Sequence, residues 1–382
     1  MLLVAEVAAM SLWFVSAAIL PDLLREVSFS PIRQAALSSS VQAGFVVGAL
    51  VSAIFGLADR YDPRRVFAIS AIGAAIVNGL FLVASPGSIS AIMLRAVTGA
   101  LLAGVYPVGM KIAVGWGQKD RGFLVGALVG ALTLGAAAPH LISLAGGADW
   151  RLTVMVSSIA SAVAGVLCLG VRLGPHHAVA SGFTPRVIIV AWTNRRVRLA
   201  YAGYLGHMWE LYAMWAWIVA ATAASYRSSL TAQSAETFSK ITAFTAISAG
   251  AVACILAGLI ADRVGKANVA IVAMLFSGAS ALAMALTFGG SIWLTFAIVV
   301  VWGITIIPDS AQFSALIADA VPPEQAGSLM TFQTALGFTL TFFSVQITPA
   351  IASAFGWPTA LSVLAIGPAL GIMAMVRLRS IT

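Results

Sequence analysis

The chain has 382 residues, 60% of them hydrophobic and only 9% charged, where a soluble domain carries about 25% charged residues. That excludes a water-soluble fold, and apolar stretches of span length recur to the C-terminus, which a signal peptide alone would not produce. The net charge of +8 comes from bases scattered among connections that a membrane would separate, so it marks topology and not a nucleic-acid surface.

At about twenty apolar residues per crossing, twelve spans are expected, near 1–20, 34–57, 66–84, 91–113, 122–145, 151–172, 198–224, 242–260, 267–288, 291–312, 327–350 and 357–376. In the first span, Glu6, Met10 and Trp13 fall on one helical stripe. The short turn after the second holds Gly56-Leu-Ala-Asp59-Arg60-Tyr-Asp62-Pro63-Arg64-Arg65. The fourth span carries Arg95-Ala-Val-Thr98-Gly99 and, at its far end, Pro107 and Lys111. Lys111 is expected to snorkel to the interface, with attraction of an anion as the alternative. Gly126, Gly130, Gly135 and Pro139 punctuate the fifth span, and Asp149-Trp150-Arg151 precedes the sixth as an interfacial anchor.

A linker over residues 173–197 follows, with Pro175, His176, His177, Pro185 and Arg195-Arg196. Its adjacent histidines lack companions at ligand spacing, so no metal site is expected. Cys168 and Cys254 lie in apolar runs as small buried groups. The seventh span is aromatic, with Tyr204, Trp209, Tyr212, Trp215 and Trp217, and it places Gly203, His207, Glu210, Met214 and Trp217 on one stripe. Between the eighth and ninth spans runs Gly258-Leu-Ile-Ala-Asp262-Arg263-Val-Gly265-Lys266. Its glycines permit close helix approach and a tight turn, and an aspartate beside an arginine can pair across helix ends and release as the structure moves, so Asp262 and Arg263, with Asp59 and Arg60, are latch candidates. In the tenth span Trp302, Thr305, Asp309 and Gln312 form a stripe.

An internal repeat connects these features. Glu6 answers Glu210, Asp59-Arg60 answers Asp262-Arg263, Pro107 with Lys111 answers Pro308 with Gln312, and Trp150 answers Trp357, at offsets of 201 to 207 residues. Four matches in one order predict duplicated six-span halves, 1–172 and 198–382. Arg60, Arg64, Arg65, Lys111, Lys119, Arg121, Arg172, Arg186, Arg195, Arg196, Arg198, Arg263, Lys266, Arg377 and Arg379 fall on the side of the termini, against Arg25, Arg33, Arg151, Arg227 and Lys240 on the other. The positive-inside rule therefore predicts cytoplasmic termini.

The Gly258–Lys266 loop resembles the loop signature of the major facilitator superfamily, and Arg95-Ala-Val-Thr98-Gly99 is similar to that family's arginine motif. The first-half loop departs from the signature, with Phe55 where its leading glycine belongs. The resemblance implies an all-α membrane protein of twelve transmembrane helices in two pseudo-symmetric six-helix bundles. It also implies a cavity lined by the first, fourth, seventh and tenth helices, a latch of Asp59, Arg60, Gly258, Asp262, Arg263 and Gly265, and an association of Arg95 with proton coupling.

An ionised carboxylate within a span is expensive, and protonation relieves the cost, so Glu210, Glu6, His207 and Arg95 are the proton-coupling candidates. Met10, Trp13, Tyr204, Met214, Trp217, Trp302, Thr305, Asp309, Gln312 and Lys111 are the cavity candidates. The expected function is secondary active transport of a small organic metabolite, anions included, across a bacterial-type inner membrane by alternating access with proton coupling, by a monomer without cofactor. A multidrug or organic-cation efflux antiporter is the alternative. A receptor or enzyme is the reading of another class, and four histidines, two of them in the linker, make no catalytic cluster. No phosphate-binding glycine loop followed by Lys-Ser or Lys-Thr supports an ATP-driven pump.

Overall fold

The computed structural model describes residues 1–381 apart from 118–120, 147–148 and 176–184. Among the described residues there is no strand, and twelve long helices cross back and forth. They are α1 (Leu2–Glu26), α2 (Pro31–Phe55), α3 (Pro63–Val83), α4 (Ile89–Val114), α5 (Arg121–Gly146) and α6 (Trp150–Leu169) in the first half. The second half holds α7 (Arg195–Tyr226), α8 (Ala232–Val264), α9 (Lys266–Leu286), α10 (Ile292–Ala320), α11 (Pro323–Phe355) and α12 (Trp357–Arg379).

Eleven helices are long and apolar enough to cross a bilayer. The exception is α7, whose tyrosines and tryptophans count as weakly apolar and whose first turn carries Arg195, Arg196 and Arg198. It lies deepest of all, with every residue from Glu210 to Val219 buried. A helix enclosed on all sides needs no amphipathic stripe.

Helix starts follow local chemistry. The Asp62 carboxylate accepts from the Arg64 backbone N–H at 2.9 Å and caps α3, whose first residue is Pro63. Asp149 caps α6 through Arg151 N–H, and Asn194 caps α7 through the Arg196 and Val197 N–H groups. Gly56, which opens the first short turn of the repeat, and Gly265, which makes the second, have positive φ of 60° and 90°, a region open to glycine at no steric cost.

The repeat is visible in helix shape. α4 is interrupted between Leu102 and Tyr106, and α10 between Thr305 and Ser310. Pro107 and Pro308 sit at these interruptions, where a missing N–H and a ring clash prevent regular continuation. In each half a glycine of the broken helix meets its neighbour's backbone. A Cβ at Gly99 would lie 2.0 Å from the Val41 carbonyl of α2, and one at Gly303 would lie 2.1 Å from the Ala246 carbonyl of α8. α1 is also interrupted, over Ser11–Phe14, whereas α7 is continuous, so the halves are alike and not identical.

The most extensive packing in the molecule joins the halves, α5 against α8, and α2 against α11 is the next largest contact between them. Three expected boundaries move by more than a helical turn and a half. α1 runs to Glu26, α8 begins at Ala232 and α10 runs to Ala320, so Arg25 and Lys240 are helical residues and not loop bases. A helix continues past the apolar core wherever its backbone bonds are made, and a hydropathy window does not register that overhang.

Candidate functional site

In the second half, a polar cluster forms inside the apolar bundle. Glu210 of α7 is 1% exposed. Its Oε2 accepts from Ser277 Oγ of α9 at 2.9 Å, and its Oε1 accepts from Trp302 Nε1 of α10 at 2.8 Å. One turn earlier on α7, His207 Nδ1 lies 2.9 Å from Asp309 Oδ1, at the interruption of α10. Both of these side chains are buried, and Tyr204 and Phe313 close over the imidazole. The helical spacing of His207 and Glu210 aims both at α10. Ser277 is a partner that sequence reasoning missed, because a lone serine in an apolar span carries no signal.

Glu6 has a different environment. It is fully buried and neither carboxylate oxygen has a hydrogen-bond partner among the described residues. It lies against Gly109 of α4, where a Cβ would come within 2.5 Å of Glu6 Oε2. Glu210 bonds within its own half and Glu6 lies against its own half, so the two do not pair across the centre. The interruption of α1 explains part of this, because the tightened turn after Met10 breaks the Glu6–Met10–Trp13 stripe expected of a straight helix. The α10 stripe is broken for the same kind of reason. Trp302, Asp309 and Gln312 are buried, whereas Thr305 is half-buried, as is Lys111 on α4.

Arg95 closes the interruption of α1. Its Nη2 donates to the carbonyls of Leu12 at 2.8 Å and Trp13 at 2.9 Å, and its Nη1 donates to Asn78 Oδ1 of α3 at 2.7 Å. Carbonyls released from a helix ladder inside a membrane need donors, and a buried guanidinium supplies several. All these partners are neutral.

Between the halves the centre is filled with rings. Trp13 stands 4.8 Å from Phe45 of α2, 5.4 Å from Phe338 of α11 and 5.7 Å from Tyr212 of α7, centroid to centroid. Met10, Trp13, Tyr204 and Met214 are buried in this packing. Trp217 alone of the expected cavity residues lines the large cavity, of about 880 Å³, at the end of the bundle away from the termini. Arg25, Gln34, Arg227, Gln233 and Glu236 supply its polar wall, and Trp217 Nε1 donates to the Val345 carbonyl at 2.8 Å.

Beside that cavity the halves are tied by ion pairs that the sequence did not announce. Lys240 Nζ of α8 lies 2.8 Å from Asp22 Oδ2 of α1, with both side chains almost fully buried. Arg25 pairs with Glu236 across the same interface and lies 3.6 Å from Asp22, while Ser143 Oγ of α5 donates to Asp22 at 3.3 Å. The partners are separated by 218 residues in sequence, so no local pattern could reveal them.

Toward the termini, Arg60 and Arg263 are exposed. The side chains of Asp59 and Asp262 lie outside the described residues, as do His176 and His177. The Arg64 guanidinium, 2.7 Å from Asp62, holds that carboxyl below the usual carboxylate range, and Arg64 Nη1 reaches the Val171 carbonyl at the end of α6. In the second loop Lys266 pairs with Asp319 of α10 at 2.5 Å. Among the described residues no three His, Cys, Asp or Glu side chains gather as a metal site.

Two bundles of six helices, each with a buried carboxylate on its first helix and a broken fourth helix, joined by contacts along α5–α8 and α2–α11, define a multi-pass membrane transporter of the secondary class. The family model of the Major Facilitator Superfamily matches residues 1–344, and the chain belongs to that superfamily. It is a transporter and not an enzyme. A crystal structure of a mutant of the nucleoside transporter NupG has the same fold, with a TM-score of 0.73 over 99% of this chain and 98% of that one, at 14% sequence identity. No curated protein matches the sequence.

Proposed function

We propose that the protein carries a small organic solute by alternating access, coupled to protons through Glu210. The observation that carries this reading is the setting of Glu210, about 22 Å along α7 from Arg195 at 1.5 Å per residue, with only neutral donors, Ser277 and Trp302, on its two oxygens. Those donors suit a carboxylate, while the dry surroundings penalise its charge, so a modest rearrangement of α9 or α10 would shift the balance between binding and releasing a proton. His207 and Asp309, one turn away, offer a second exchangeable position. Glu6, without donors, is the weaker candidate, and Arg95 acts by holding α1.

The halves of this reading are 1–172 and 198–382, joined by the linker 173–197. Both termini lie on the cytoplasmic side of a bacterial-type inner membrane, because the end that carries the termini also carries Arg60, Arg64, Arg195, Lys266 and Arg379. The working unit is a monomer that binds its solute and protons without a cofactor. The solute enters through the cavity beside Trp217, where Arg25, Arg227 and Glu236 place both signs of charge; a polar solute that hydrogen-bonds, anionic ones included, fits that wall. NupG is described as a nucleoside transporter, and nucleosides belong in the first screen on that ground alone.

The test is transport in proteoliposomes. Glu210→Gln keeps the side chain's shape and hydrogen bonds in the neutral state, so the variant is expected to exchange solute across the membrane and to fail to concentrate it under an imposed pH gradient. Accumulation at the wild-type level would show that Glu210 is a structural partner only.

A further inference from the structure

His140 of α5 is fully buried, and neither of its ring nitrogens has a hydrogen-bond partner among the described residues. A neutral imidazole has one donor and one acceptor to satisfy and a charged one has two donors, so leaving both nitrogens unmatched in a dry bundle costs free energy. An ionisable side chain inside a span is a functional candidate by default. Coupling through Glu210 makes no use of this one.

The neighbours of His140 are the ion pairs that tie the halves at the end away from the termini. α5 and α8 run antiparallel, with Gly126 against the Cys254 carbonyl and Gly130 against the Ala251 carbonyl. Continuing that register brings His140 to the level of Lys240, whose charge acts on the imidazole. One turn further along the same face of α5, Ser143 Oγ donates to Asp22 Oδ2, the oxygen that Lys240 Nζ reaches at 2.8 Å. The other oxygen, Asp22 Oδ1, is buried without a hydrogen bond, 3.6 Å from Arg25.

The helices packed on α5 are α1, α4, α6 and α8, with α10 meeting it only through Ser310–Ala320, toward the termini. At the level of His140 they bring Asp22 and Arg25 from α1 and Glu236 and Lys240 from α8. α6 opens with Asp149 and Arg151, both exposed, and Arg151 pairs with Glu26. Arg95 of α4 is engaged with Asn78 and the carbonyls of Leu12 and Trp13. Asp22 and His140 belong to the same half of the molecule and Lys240 to the other. With the halves together, a proton on His140 would place a second cation next to Lys240 with no acceptor for either N–H. When α1 and α8 part, Lys240 leaves and Asp22 is stranded without its partner. An imidazolium that travels with Asp22 supplies the missing charge.

We propose that His140 is a second proton-binding site, which takes a proton as α1 and α8 part and then replaces Lys240 as the partner of Asp22. The inference rests on the parting of the halves that alternating access requires, and not on Glu210. Because the proton binds the parted state, acid favours that state. One proton changes the ratio of parted to closed molecules by up to about tenfold per pH unit.

The experiment follows the distance between spin labels at Leu24→Cys on α1 and Thr237→Cys on α8, both exposed positions, in the purified full chain with Cys168 and Cys254 replaced by alanine. Lowering the pH from about 8 to about 5, the range in which histidine changes charge, is expected to raise the fraction of molecules with the longer distance. His140→Gln keeps a polar side chain that takes no proton, and should remove that response. Lys240→Met gives a result that a damaged variant cannot mimic. Without Lys240, a protonated His140 can pair with Asp22 while the halves are together, so acid should now favour the shorter distance, and Lys240→Met/His140→Gln should lose that reversal. Glu210→Gln should leave the original response in place; its loss there would assign the proton to Glu210 and overturn the inference. A distance that ignores pH also overturns it, as does a response that survives His140→Gln, which would assign the proton to Asp22 or Glu236. Either of these last two results leaves coupling through Glu210, read from solute accumulation in proteoliposomes, to stand or fall by itself.

Discussion

Asp22 and Lys240 are the residues whose energetics the structure defines most sharply. A buried ion pair gains little over a well-packed apolar pair, because desolvation cancels most of its Coulomb attraction, but removing one partner strands a charge and costs about 3–5 kcal/mol. Lys240→Met leaves Asp22 with Ser143 and the more distant Arg25, so its cost should fall at the lower end of that range. Asp22→Asn leaves an ammonium in the same dry place. The double variant Asp22→Asn/Lys240→Met is therefore expected to be markedly more stable than the two single losses added together. A double-mutant cycle on thermal unfolding in detergent measures this coupling, and strict additivity would show that the pair is solvated and inert. Glu210 follows the same logic with neutral donors. Its two hydrogen bonds make it a held group and not a free one, which is why an amide is the informative replacement and an alanine would leave Trp302 Nε1 without its acceptor.

At the scale of elements, the broken helices α4 and α10 depend on close backbone approach. A methyl at Gly303 would fall 2.1 Å from the Ala246 carbonyl, a backbone atom that cannot turn aside. Gly303→Ala should force α8 and α10 apart at a cost of about 1–3 kcal/mol, the usual penalty of overpacking. Gly327 in α11 has nothing within 4 Å of the place a methyl would take and no positive φ, so Gly327→Ala is the matched control. It is expected to be neutral or stabilising by up to about 1 kcal/mol through helix propensity. Melting temperatures of the two variants side by side check the pair; equal behaviour would mean that α8 can slide without penalty. These elements also mark how far the sequence could be read. Twelve apolar runs, the repeat of Glu6 with Glu210 and of Trp150 with Trp357, and the prolines of the fourth and tenth helices were legible, because span length and landmark spacing are local properties. The interruption of α1 was not. Ser11–Phe14 contains neither proline nor glycine, and the carbonyls of Leu12 and Trp13 are satisfied by Arg95, more than 80 residues away. The start of α8 was misplaced by about ten residues because its first turns, Ala232–Ile241, are polar enough to resemble a loop.

For the whole molecule, the question is which contacts must part for a solute to pass. The halves touch near the termini through α5 and α8, where Gly126 and Gly130 meet the Cys254 and Ala251 carbonyls, and at the opposite end through Asp22–Lys240 and Arg25–Glu236 between α1 and α8. The two contacts differ in kind. Close glycine packing is short-ranged and lost within a fraction of an ångström, whereas ion pairs can exchange partners with water as they open. Under the alternating access proposed above, rocking of the halves opens one end while the other stays shut, and the central rings of Trp13, Phe45, Tyr212 and Phe338 are the proposed pivot between the two sides. In a chain with Cys168 and Cys254 replaced by alanine, cysteines at positions 22 and 240 joined by a short bis-maleimide should abolish net flux while solute-free protein remains folded. The same two cysteines left unlinked should retain flux, which separates the effect of the tether from the loss of the ion pair. Undiminished flux with the tether in place would show that α1 and α8 never part at that end, and that the solute reaches the centre by another route.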